Sequence, residues 1–262
     1  MIDTTFRPKK SLGQNFLVDE NIARKIIQAL APNPKDVVLE IGPGFGVLTK
    51  YLLPKVAKVI AVEIDTKLAE QLETEFPEFE NFHLIQADFL KIHLDEWVET
   101  HTGRFRILGN IPYHITSPVI FKVLELRERI FDMTLMIQKE VAQRIVASPG
   151  TKDYGILSVV SQLYSEPDIL FNVSRNVFRP KPEVASSVVR WLFSKKAFQI
   201  ENEDVLDELI HGAFQQRRKM LRKSLKSIPE FAKKLNDVDF ELEKRPEQLS
   251  PEEFVSLSNL LS

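Results

Sequence analysis

Three of the nine glycines in this 262-residue chain fall within five positions, at Gly42, Gly44 and Gly46. They directly follow the apolar run Val37–Ile41. Glycine adopts positive φ angles and lets a ligand approach the backbone without meeting a Cβ atom. The spacing therefore predicts a ligand-binding turn between a strand and a helix; a tight turn without a ligand is the alternative. Val47 stands where the dinucleotide fingerprint G-x-G-x-x-G needs its third glycine, which favours S-adenosylmethionine over a nicotinamide dinucleotide.

Acidic residues end the next two apolar runs. Glu63 lies 21 residues after Gly42, where a carboxylate can accept hydrogen bonds from both ribose hydroxyls of a nucleoside. Asp88 follows the third run and is placed to meet an adenine amino group, with Ala87 and Phe89 beside the ring. A single acid at a strand end is usually only solvated. Three consecutive strand ends with suitable residues indicate a cofactor site.

The segment Gly109-Asn110-Ile111-Pro112-Tyr113 follows the fourth apolar run. An adenine amino group is a poor nucleophile because its lone pair is delocalised into the ring. The Asn110 side-chain oxygen and the Ile111 or Pro112 carbonyl can each accept one amino hydrogen, which aims the lone pair at a methyl donor. Pro112 stiffens the loop and Tyr113 offers an aromatic face to the base. The alternative is a buried turn in which the asparagine only satisfies backbone groups.

A second aromatic residue, Phe178, begins a proline-rich loop. Pro180 and Pro182 hold this loop extended, so the Phe178 ring can cover the other face of a base that has left its stack. Arg179 and Lys181 are placed to meet phosphates. An ordinary core phenylalanine is the alternative.

Basic residues concentrate near the amino terminus and between residues 216 and 226. They are Arg7, Lys9, Lys10, Arg217, Arg218, Lys219, Arg222 and Lys223. The net charge of −2 argues against a nucleic-acid-binding protein, but residues 216–226 contain no acidic residue, and seven acidic residues gather in the tail after residue 236. The cations are therefore locally unneutralised, and we expect them to contact RNA phosphates. A charge run that is only a solvated surface is the alternative.

These residues must be positioned by alternating strands and helices. The predicted strands are Val37–Ile41, Lys58–Val62, His83–Gln86, Phe105–Leu108, Thr134–Ile137, Ile169–Val173 and Ser187–Phe193. The predicted helices between and around them are Glu20–Leu30, Val47–Pro54, Thr66–Phe76, Pro118–Arg127 with Ser117 as N-cap, Lys139–Ala147 and Ile156–Tyr164. This alternation predicts an α/β domain with a mostly parallel sheet.

The polar residues 194–196 predict a boundary between a catalytic domain, residues 1–195, and a small helical domain, residues 196–262. In the second domain we predict one continuous helix over Asp204–Ile228, which would carry the basic residues, and another over Pro229–Leu235. Ser250 and Glu253 have the spacing of a capping box and predict a last short helix.

Composition excludes several kinds of chemistry. The chain has no cysteine, which rules out disulfides, thiolate metal sites and cysteine nucleophiles, and its five histidines are widely scattered. No apolar run approaches the ~18 residues of a membrane span, and the amino terminus lacks the apolar segment of a signal peptide. We expect a cytoplasmic monomer that binds neither a metal nor a membrane.

Taken together, these motifs resemble the rRNA adenine dimethyltransferases, and among them the small-subunit (KsgA-type) family. The resemblance covers nearly the whole chain: KSLGQNFL at 10–17, EIGPGFG at 40–46, NIPY at 110–113, QKEVA at 138–142, YGILS at 154–158, FRPKPEVASS at 178–187 and QRRKMLR at 216–222. It implies a class I S-adenosylmethionine-dependent methyltransferase fold, with a Rossmann-like seven-stranded sheet that has one antiparallel strand, followed by a small all-helical domain that binds RNA.

The resemblance also implies roles for residues. Contact with S-adenosylmethionine is implied for Asn15, Leu17, Gly42, Gly44, Glu63, Asp88 and Asn110, and contact with the base for Asn110, Pro112, Tyr113 and Phe178. The implied reaction is dimethylation of two adjacent adenosines in the 3′-terminal hairpin loop of small-subunit (16S) rRNA, on a late assembly particle. His114 departs from the family, where an asparagine is common.

Two alternatives stay open at this point. One is the macrolide-resistance branch, which methylates an adenosine of large-subunit rRNA and shares NIPY; the GQNFL start and Pro43 favour the small-subunit branch. The other is a binding protein on the same scaffold, an assembly checkpoint or a transcription cofactor whose catalysis is dispensable. Intact Asn110, Tyr113 and Glu63 argue against lost catalysis but not against an added binding role.

Overall fold

The computed structural model of the protein describes residues 6–93, 104–193 and 198–262. Its strands are β1 (Phe16–Leu17), β2 (Val37–Ile41), β3 (Lys58–Glu63), β4 (Phe82–Gln86), β5 (Phe105–Asn110), β6 (Ile130–Gln138), β7 (Glu166–Val173), β8 (Phe178–Arg179) and β9 (Ser186–Leu192). Its helices are α1 (Glu20–Leu30), α2 (Thr49–Leu52), α3 (Thr66–Glu75), α4 (Thr116–Glu125), α5 (Lys139–Ile145), α6 (Ile156–Tyr164), α7 (Glu203–Gln215), α8 (Leu221–Ser224), α9 (Pro229–Lys234) and α10 (Pro251–Leu261). All seven predicted strands are confirmed, with ends shifted by no more than four residues.

Within the described residues, seven strands form one sheet in the order β4-β3-β2-β5-β6-β9-β7, and β1 pairs with β8 in a separate ribbon. Adjacent strands from β4 to β6 are parallel, whereas β9 is antiparallel to β6. Parallel strands covered on both faces need apolar side chains on both faces, which is why β2, β3 and β5 read as nearly continuous apolar runs. The expected Rossmann-like fold with an antiparallel strand is confirmed.

The strand order positions the site. β3 lies on one side of β2 and β5 on the other, and at such a reversal a crevice opens outside the carboxyl ends of the strands. Ile41, the last residue of β2, is paired with Val62 in β3 and with Gly109 in β5. The three strands therefore end at one level, which brings the glycine turn, Glu63 and Asn110 to the same edge.

Helix α1 shows how the flanking helices are specified. Its apolar residues Ala23, Ile26, Ile27 and Leu30 recur at helical spacing and are all buried. The Asp19 carboxylate caps the helix by accepting hydrogen bonds from the backbone N–H groups of residues 21 and 22. The predicted bounds of α1 and of α6 are confirmed.

Two predicted helix starts in the first 130 residues are wrong by about two residues. Helix α4 begins at Thr116 with Ile115 at the N-cap position, so Ser117 is not the cap, and Pro118 is the third helical residue. Proline is tolerated there because N–H groups of the first turn have no intrahelical acceptor. Helix α2 covers only Thr49–Leu52 and continues as a 3₁₀ turn over Leu53–Lys55.

The predicted continuous helix over Asp204–Ile228 is also wrong. Helix α7 ends at Gln215, and Met220 has an extended backbone before α8 begins. The N–H groups of Leu221 and Arg222 donate to the carbonyls of Lys244 and Leu242. These tertiary bonds replace the intrahelical ones that a continuous helix needs. Residues 217–219 consequently lie in a turn rather than on a helix.

The chain divides into two compact units. The first contains the residues up to Ala142 and Asp168–Phe193; the second contains Gln143–Pro167 and the residues after Phe193. The structure thus groups 143–167 with the carboxyl-terminal helices, whereas the predicted boundary at residue 195 assigns this segment to the first domain. The expected boundary at residue 195 lies outside the described residues. Inside the second unit, the Tyr154 hydroxyl donates to the Leu249 carbonyl at 2.7 Å.

Candidate functional site

A cavity of about 290 Å³ lies in the first unit at the carboxyl ends of β2, β3 and β5. Five short segments line it together with Leu68, and they lie within residues 12–17, 40–48, 62–64, 87–90 and 110–115. Every predicted cofactor residue is among the lining residues: Asn15, Leu17, Gly42, Gly44, Glu63, Asp88 and Asn110. Pro112 and Tyr113 line the same cavity. The structure therefore brings together residues that are up to 98 positions apart in the sequence.

The glycine turn has the backbone that its composition predicts. Gly42, Gly44 and Gly46 have φ angles of 63°, 59° and 71°, a region that side chains with a Cβ atom rarely adopt. A Cβ atom added at Gly42 would meet nothing within 4 Å, whereas one at Gly44 would lie 3.0 Å from the Phe16 ring. Gly42 consequently leaves open space for a ligand to approach the main chain, which fits a nucleoside cofactor.

Glu63 presents a fixed carboxylate to the cavity. Its Oε1 accepts a hydrogen bond from the Asp65 N–H at 2.9 Å and its Oε2 accepts one from the Gly44 N–H at 3.1 Å. Burial raises the pKa of this carboxyl above its ordinary value, although these backbone donors oppose the shift. The remaining lone pairs can accept hydrogen bonds from ribose hydroxyls.

Asp88 lies two residues after the end of β4 and lines the cavity. Its Oδ1 accepts a hydrogen bond from the Leu90 N–H at 3.0 Å, which fixes the carboxylate at the start of a tight turn. Phe89 is buried beside it. The place of an adenine ring between Asp88 and its neighbours stays a prediction.

Sequence reasoning missed Glu40, which also lines the cavity. Its side chain is buried in β2 and accepts a hydrogen bond from the Thr49 hydroxyl at 2.7 Å. Burial raises the pKa of the Glu40 carboxyl to about 7. The available signal was an acidic residue inside an otherwise apolar buried strand, a position that carboxylates rarely occupy without a function or a partner.

Asn110 ends β5 and has one half of its amide already occupied. Its Nδ2 donates to the Asn15 carbonyl at 3.1 Å, which leaves Oδ1 as an acceptor for a ligand. Register pairing with Met136 in β6 holds the Asn110 backbone in the sheet. This is the arrangement that amine alignment requires.

Tyr113 is held from its polar end. Its hydroxyl group lies 2.8 Å from the Ser186 Oγ, and burial raises the pKa of the phenol above its ordinary value. The tyrosine is therefore neutral at physiological pH, with its ring beside the cavity.

Phe178 lies elsewhere. It is 1% exposed, belongs to the apolar core, and is paired with Leu17 between β1 and β8. It is not among the residues that line the cavity. A base-stacking role would require this ring to leave its packing, so the role stays a prediction.

The amino-terminal segment, residues 6–17, forms one side of the cavity. Asp65 holds it: Asp65 Oδ1 accepts from Lys9 Nζ at 3.0 Å and Oδ2 accepts from Gln14 Nε2 at 3.1 Å. The rings of Phe6, Phe16 and Phe45 pack edge-to-face. Sequence reasoning assigned no role to Asp65 or Gln14, because the contact joins residues 51 positions apart.

The predicted RNA-binding residues differ in how much of their charge is already paired. Arg217 Nε donates to Glu247 at 2.8 Å, and its Nη2 donates to the Thr151 and Lys152 carbonyls. Arg218, Lys219, Arg222 and Lys223 are exposed, although Arg222 lies 3.4 Å from Glu243. In the second unit Arg218 and Lys219 line a shallow cleft.

The remaining basic candidates belong to the first unit. Arg7, Lys9, Arg179 and Lys181 are exposed, but Lys9 is paired with Asp65 and Arg179 donates to the Asn176 and Phe178 carbonyls. The side chain of Lys10 lies outside the described part of the chain. Of these four side chains, those of Arg7 and Lys181 therefore have the charges that are less involved in hydrogen bonds and ion pairs.

The described residues offer neither a metal site nor a membrane-spanning helix. Among them, no group of three or more histidine, aspartate or glutamate side chains is arranged to hold a metal ion. No helix described in residues 6–93, 104–193 or 198–262 combines the length and the apolar character needed to cross a bilayer.

The chain is similar to known proteins over nearly its whole length. Residues 5–262 match the family model described as ribosomal RNA adenine dimethylase. The chain is 46% identical over 254 residues to the ribosomal RNA small subunit methyltransferase A of Chlorobium phaeobacteroides (strain BS1), covering 97% of this chain and 94% of that protein. It is 38% identical to the protein of the same name from Francisella tularensis subsp. novicida, covering 98% of each chain.

Two solved structures share the fold over most of the chain. A dimethyladenosine transferase from Plasmodium falciparum is 29% identical with a TM-score of 0.79, covering 92% of this chain and 95% of that one. The 23S rRNA methyltransferase ErmE is 26% identical with a TM-score of 0.70, covering 94% and 99%. A dimethyladenosine transferase and a 23S rRNA methyltransferase thus share this fold, so the fold alone does not identify the substrate.

Proposed function

The chain belongs to the ribosomal RNA adenine dimethylase family, and we propose that the cavity at the ends of β2, β3 and β5 is its active site, with Asn110 aligning the acceptor amine. It is an S-adenosylmethionine-dependent rRNA adenine dimethyltransferase, and its substrate is small-subunit rRNA. The observation that carries the proposed site is Asn110, whose amide is oriented by Asn15 within a cavity that also contains Gly42, Glu63 and Asp88.

Residues on three sides of the cavity would hold the cofactor. The open backbone at Gly42 receives it, the Glu63 carboxylate accepts from the ribose hydroxyls, and Asp88 accepts from the adenine amine. Asn15 and Leu17 close the cavity from the amino-terminal side. S-adenosylmethionine supplies an electrophilic methyl group on a sulfonium sulfur.

Asn110 prepares the acceptor amine. Because Nδ2 is bound to the Asn15 carbonyl, Oδ1 is the part of this amide that can accept an amino hydrogen. The Pro112 carbonyl already accepts the Ile115 N–H at 3.2 Å, which favours the Ile111 carbonyl as the second acceptor. With both hydrogens held, the nitrogen lone pair points out of the base plane. The proton leaves after attack, so no strong base is needed.

Tyr113 supplies the aromatic surface for the base. Its hydroxyl is held by Ser186, so the ring is fixed before the base arrives and little rotamer entropy is lost on binding. We assign base stacking first to Tyr113. Phe178 is the second candidate and would have to leave the core.

We further propose that the substrate is the 3′-terminal hairpin loop of 16S rRNA with its two adjacent adenosines, bound within a late small-subunit particle by a monomer. The exposed cations Arg218, Lys219, Arg222 and Lys223 of the second unit support RNA binding. An added, non-catalytic role in assembly is compatible with the same surface.

The experiment that tests this function offers labelled S-adenosylmethionine to small-subunit particles, to large-subunit RNA and to DNA in parallel. We expect dimethyladenosine in the small-subunit rRNA alone, mapped to two adjacent positions. Label confined to large-subunit RNA would overturn the substrate assignment. Activity on particles but not on naked 16S rRNA would support the particle as partner, and equal activity on naked RNA would contradict it.

A further inference from the structure

The amino-terminal segment touches both halves of the active site. Toward β3, Lys9 Nζ and Gln14 Nε2 donate to the two oxygens of Asp65 at 3.0 and 3.1 Å. Toward β5, the Asn15 carbonyl accepts from Asn110 Nδ2 at 3.1 Å. One short stretch of chain therefore connects the cofactor side of the cavity with the amide that prepares the acceptor.

Asp65 is a rigid anchor for this stretch. Its side chain is fully buried, its Oδ1 also accepts from the Lys67 N–H at the start of α3, and its own N–H donates to Glu63. Burial raises the pKa of the Asp65 carboxyl, but the hydrogen bonds from Lys9, Gln14 and the Lys67 N–H outweigh burial, and the pKa lies below its ordinary value. The anchor is thus an anion at neutral pH.

Gln14 is the residue that transmits the position of the anchor. Its Oε1 accepts from the Lys9 N–H at 2.8 Å while its Nε2 is bound to Asp65. Both ends of the amide are therefore occupied, which fixes the backbone of residues 13–15. Gly13, with a φ of 60°, packs so closely against His114 that a Cβ atom would lie 2.8 Å from its Nδ1. This contact fixes the same backbone from the acceptor side.

We propose that Asp65 is a positioning residue for methyl transfer, acting through Gln14 and the Asn15 carbonyl to hold Asn110 with its Oδ1 free for the acceptor amine. Without this restraint the Asn15 carbonyl moves and the Asn110 amide is free to rotate. The inference rests on the proposed role of Asn110. It predicts an effect on the rate of methyl transfer rather than on the affinity for the cofactor.

The test measures single-turnover methyl transfer to small-subunit particles at saturating S-adenosylmethionine, together with cofactor affinity by calorimetry. For Gln14→Ala we expect the rate to fall about tenfold, the effect of losing one hydrogen bond to a charged group, while the cofactor Kd changes less than about threefold. Gln14→Glu removes the same donor and adds a like charge beside Asp65, so its rate is expected to fall at least as far. Gln86→Ala is the matched control, because its Nε2 donates to Thr66 Oγ1 outside this network.

A double-variant measurement decides whether the effect passes through Asn110. In an Asn110→Ser background, Gln14→Ala is expected to cause no further loss of rate. Additive losses, a loss equal to that of Gln86→Ala, or a change confined to cofactor Kd would each overturn the proposal. If the wild-type protein itself transfers no label to the particles, the proposed function fails instead, so the two failures are distinguishable.

Discussion

Glu40 lies in the wall of the cavity at the ends of β2, β3 and β5, with its carboxyl group buried against the Thr49 hydroxyl. Burial raises its pKa to about 7 from an ordinary value of 4.5. An acid whose pKa is higher in the folded than in the unfolded chain binds more protons when folded in the interval between the two values. The free energy of unfolding therefore falls as the pH rises through that interval and is constant above it.

We predict that Glu40→Gln removes this slope. Between pH 5 and pH 8 the free energy of unfolding of the wild type should fall by about 2 to 3 kcal/mol relative to the variant, measured by urea denaturation at several pH values. Glutamine keeps an acceptor for Thr49. The control is Glu70→Gln, a change at an exposed position of α3. Parallel pH profiles for wild type and Glu40→Gln would show that Glu40 is not the titrating group.

We also predict that Asn110→Ala lowers the rate of methyl transfer about 10²- to 10³-fold at saturating cofactor, by analogy with removing one polar group that stabilises a transition state. The measurement is single-turnover transfer to small-subunit particles. Asn172→Ala, an exposed asparagine of β7 that accepts a hydrogen bond from Ser187, is the matched control. An unchanged rate for Asn110→Ala would mean that the amine is prepared by another group.

At the scale of the elements, Arg106 links β5, the strand that ends at Asn110, to the neighbouring strand β6. Its Nε donates to Asp132 Oδ1 at 2.7 Å, which joins β5 to β6, and its Nη1 donates to Asp36 Oδ2 at 2.9 Å. Its guanidinium also donates to the Leu30 and Ala31 carbonyls at the end of α1. One buried cation thus ties two strands and a helix at the edge opposite the active site.

We predict that Asp132→Ala destabilises the protein by about 3 to 5 kcal/mol, because it leaves a buried guanidinium without its main partner. Asp36→Ala should cost less, since Asp36 is 22% exposed while Asp132 is 1% exposed. Urea denaturation of both variants is the measurement. Equal losses would mean that burial of the partner does not govern the stability of this network.

The elements also show what the sequence could predict and why. The strands β2, β3 and β5 were predictable because strands covered on both faces must be apolar throughout, and their ends placed Gly42, Glu63 and Asn110. The break at residues 216–220 was not, because it is caused by carbonyls of residues 242 and 244 that no local pattern reveals. Asp65 was missed for the same reason, since its partners Lys9 and Gln14 are distant in the chain.

At the scale of the whole molecule, the near-neutral net charge conceals that neighbouring basic residues have different roles. Arg217 is bound to Glu247 and to two backbone carbonyls of the second unit, so its charge stabilises the fold of that unit. Arg218, Lys219 and Lys223 are exposed. A basic sequence run therefore contains both a structural residue and residues available to an RNA backbone.

We predict that the triple variant Arg218→Ala, Arg222→Ala, Lys223→Ala binds small-subunit particles more weakly and lowers the slope of log K against log salt by about 2 to 3. Arg217→Ala, the matched arginine, should lower the melting temperature while changing that slope less. Binding titrations at several salt concentrations and thermal denaturation make the comparison. Unchanged particle binding by the triple variant would mean that these cations are only solvated and do not contact RNA.

The second unit is discontinuous in the sequence, so residues 143–167 cannot complete their packing until the carboxyl-terminal helices have been synthesised. Tyr154 and the Leu249 carbonyl that its hydroxyl binds are 95 residues apart. At about 5 to 20 residues per second of translation, Tyr154 is synthesised roughly 5 to 20 s before its acceptor. Helix α6 packs against α10, the last helix that the structure describes. A polypeptide that terminates before α10 therefore carries a defect near residue 156 as well as at its end.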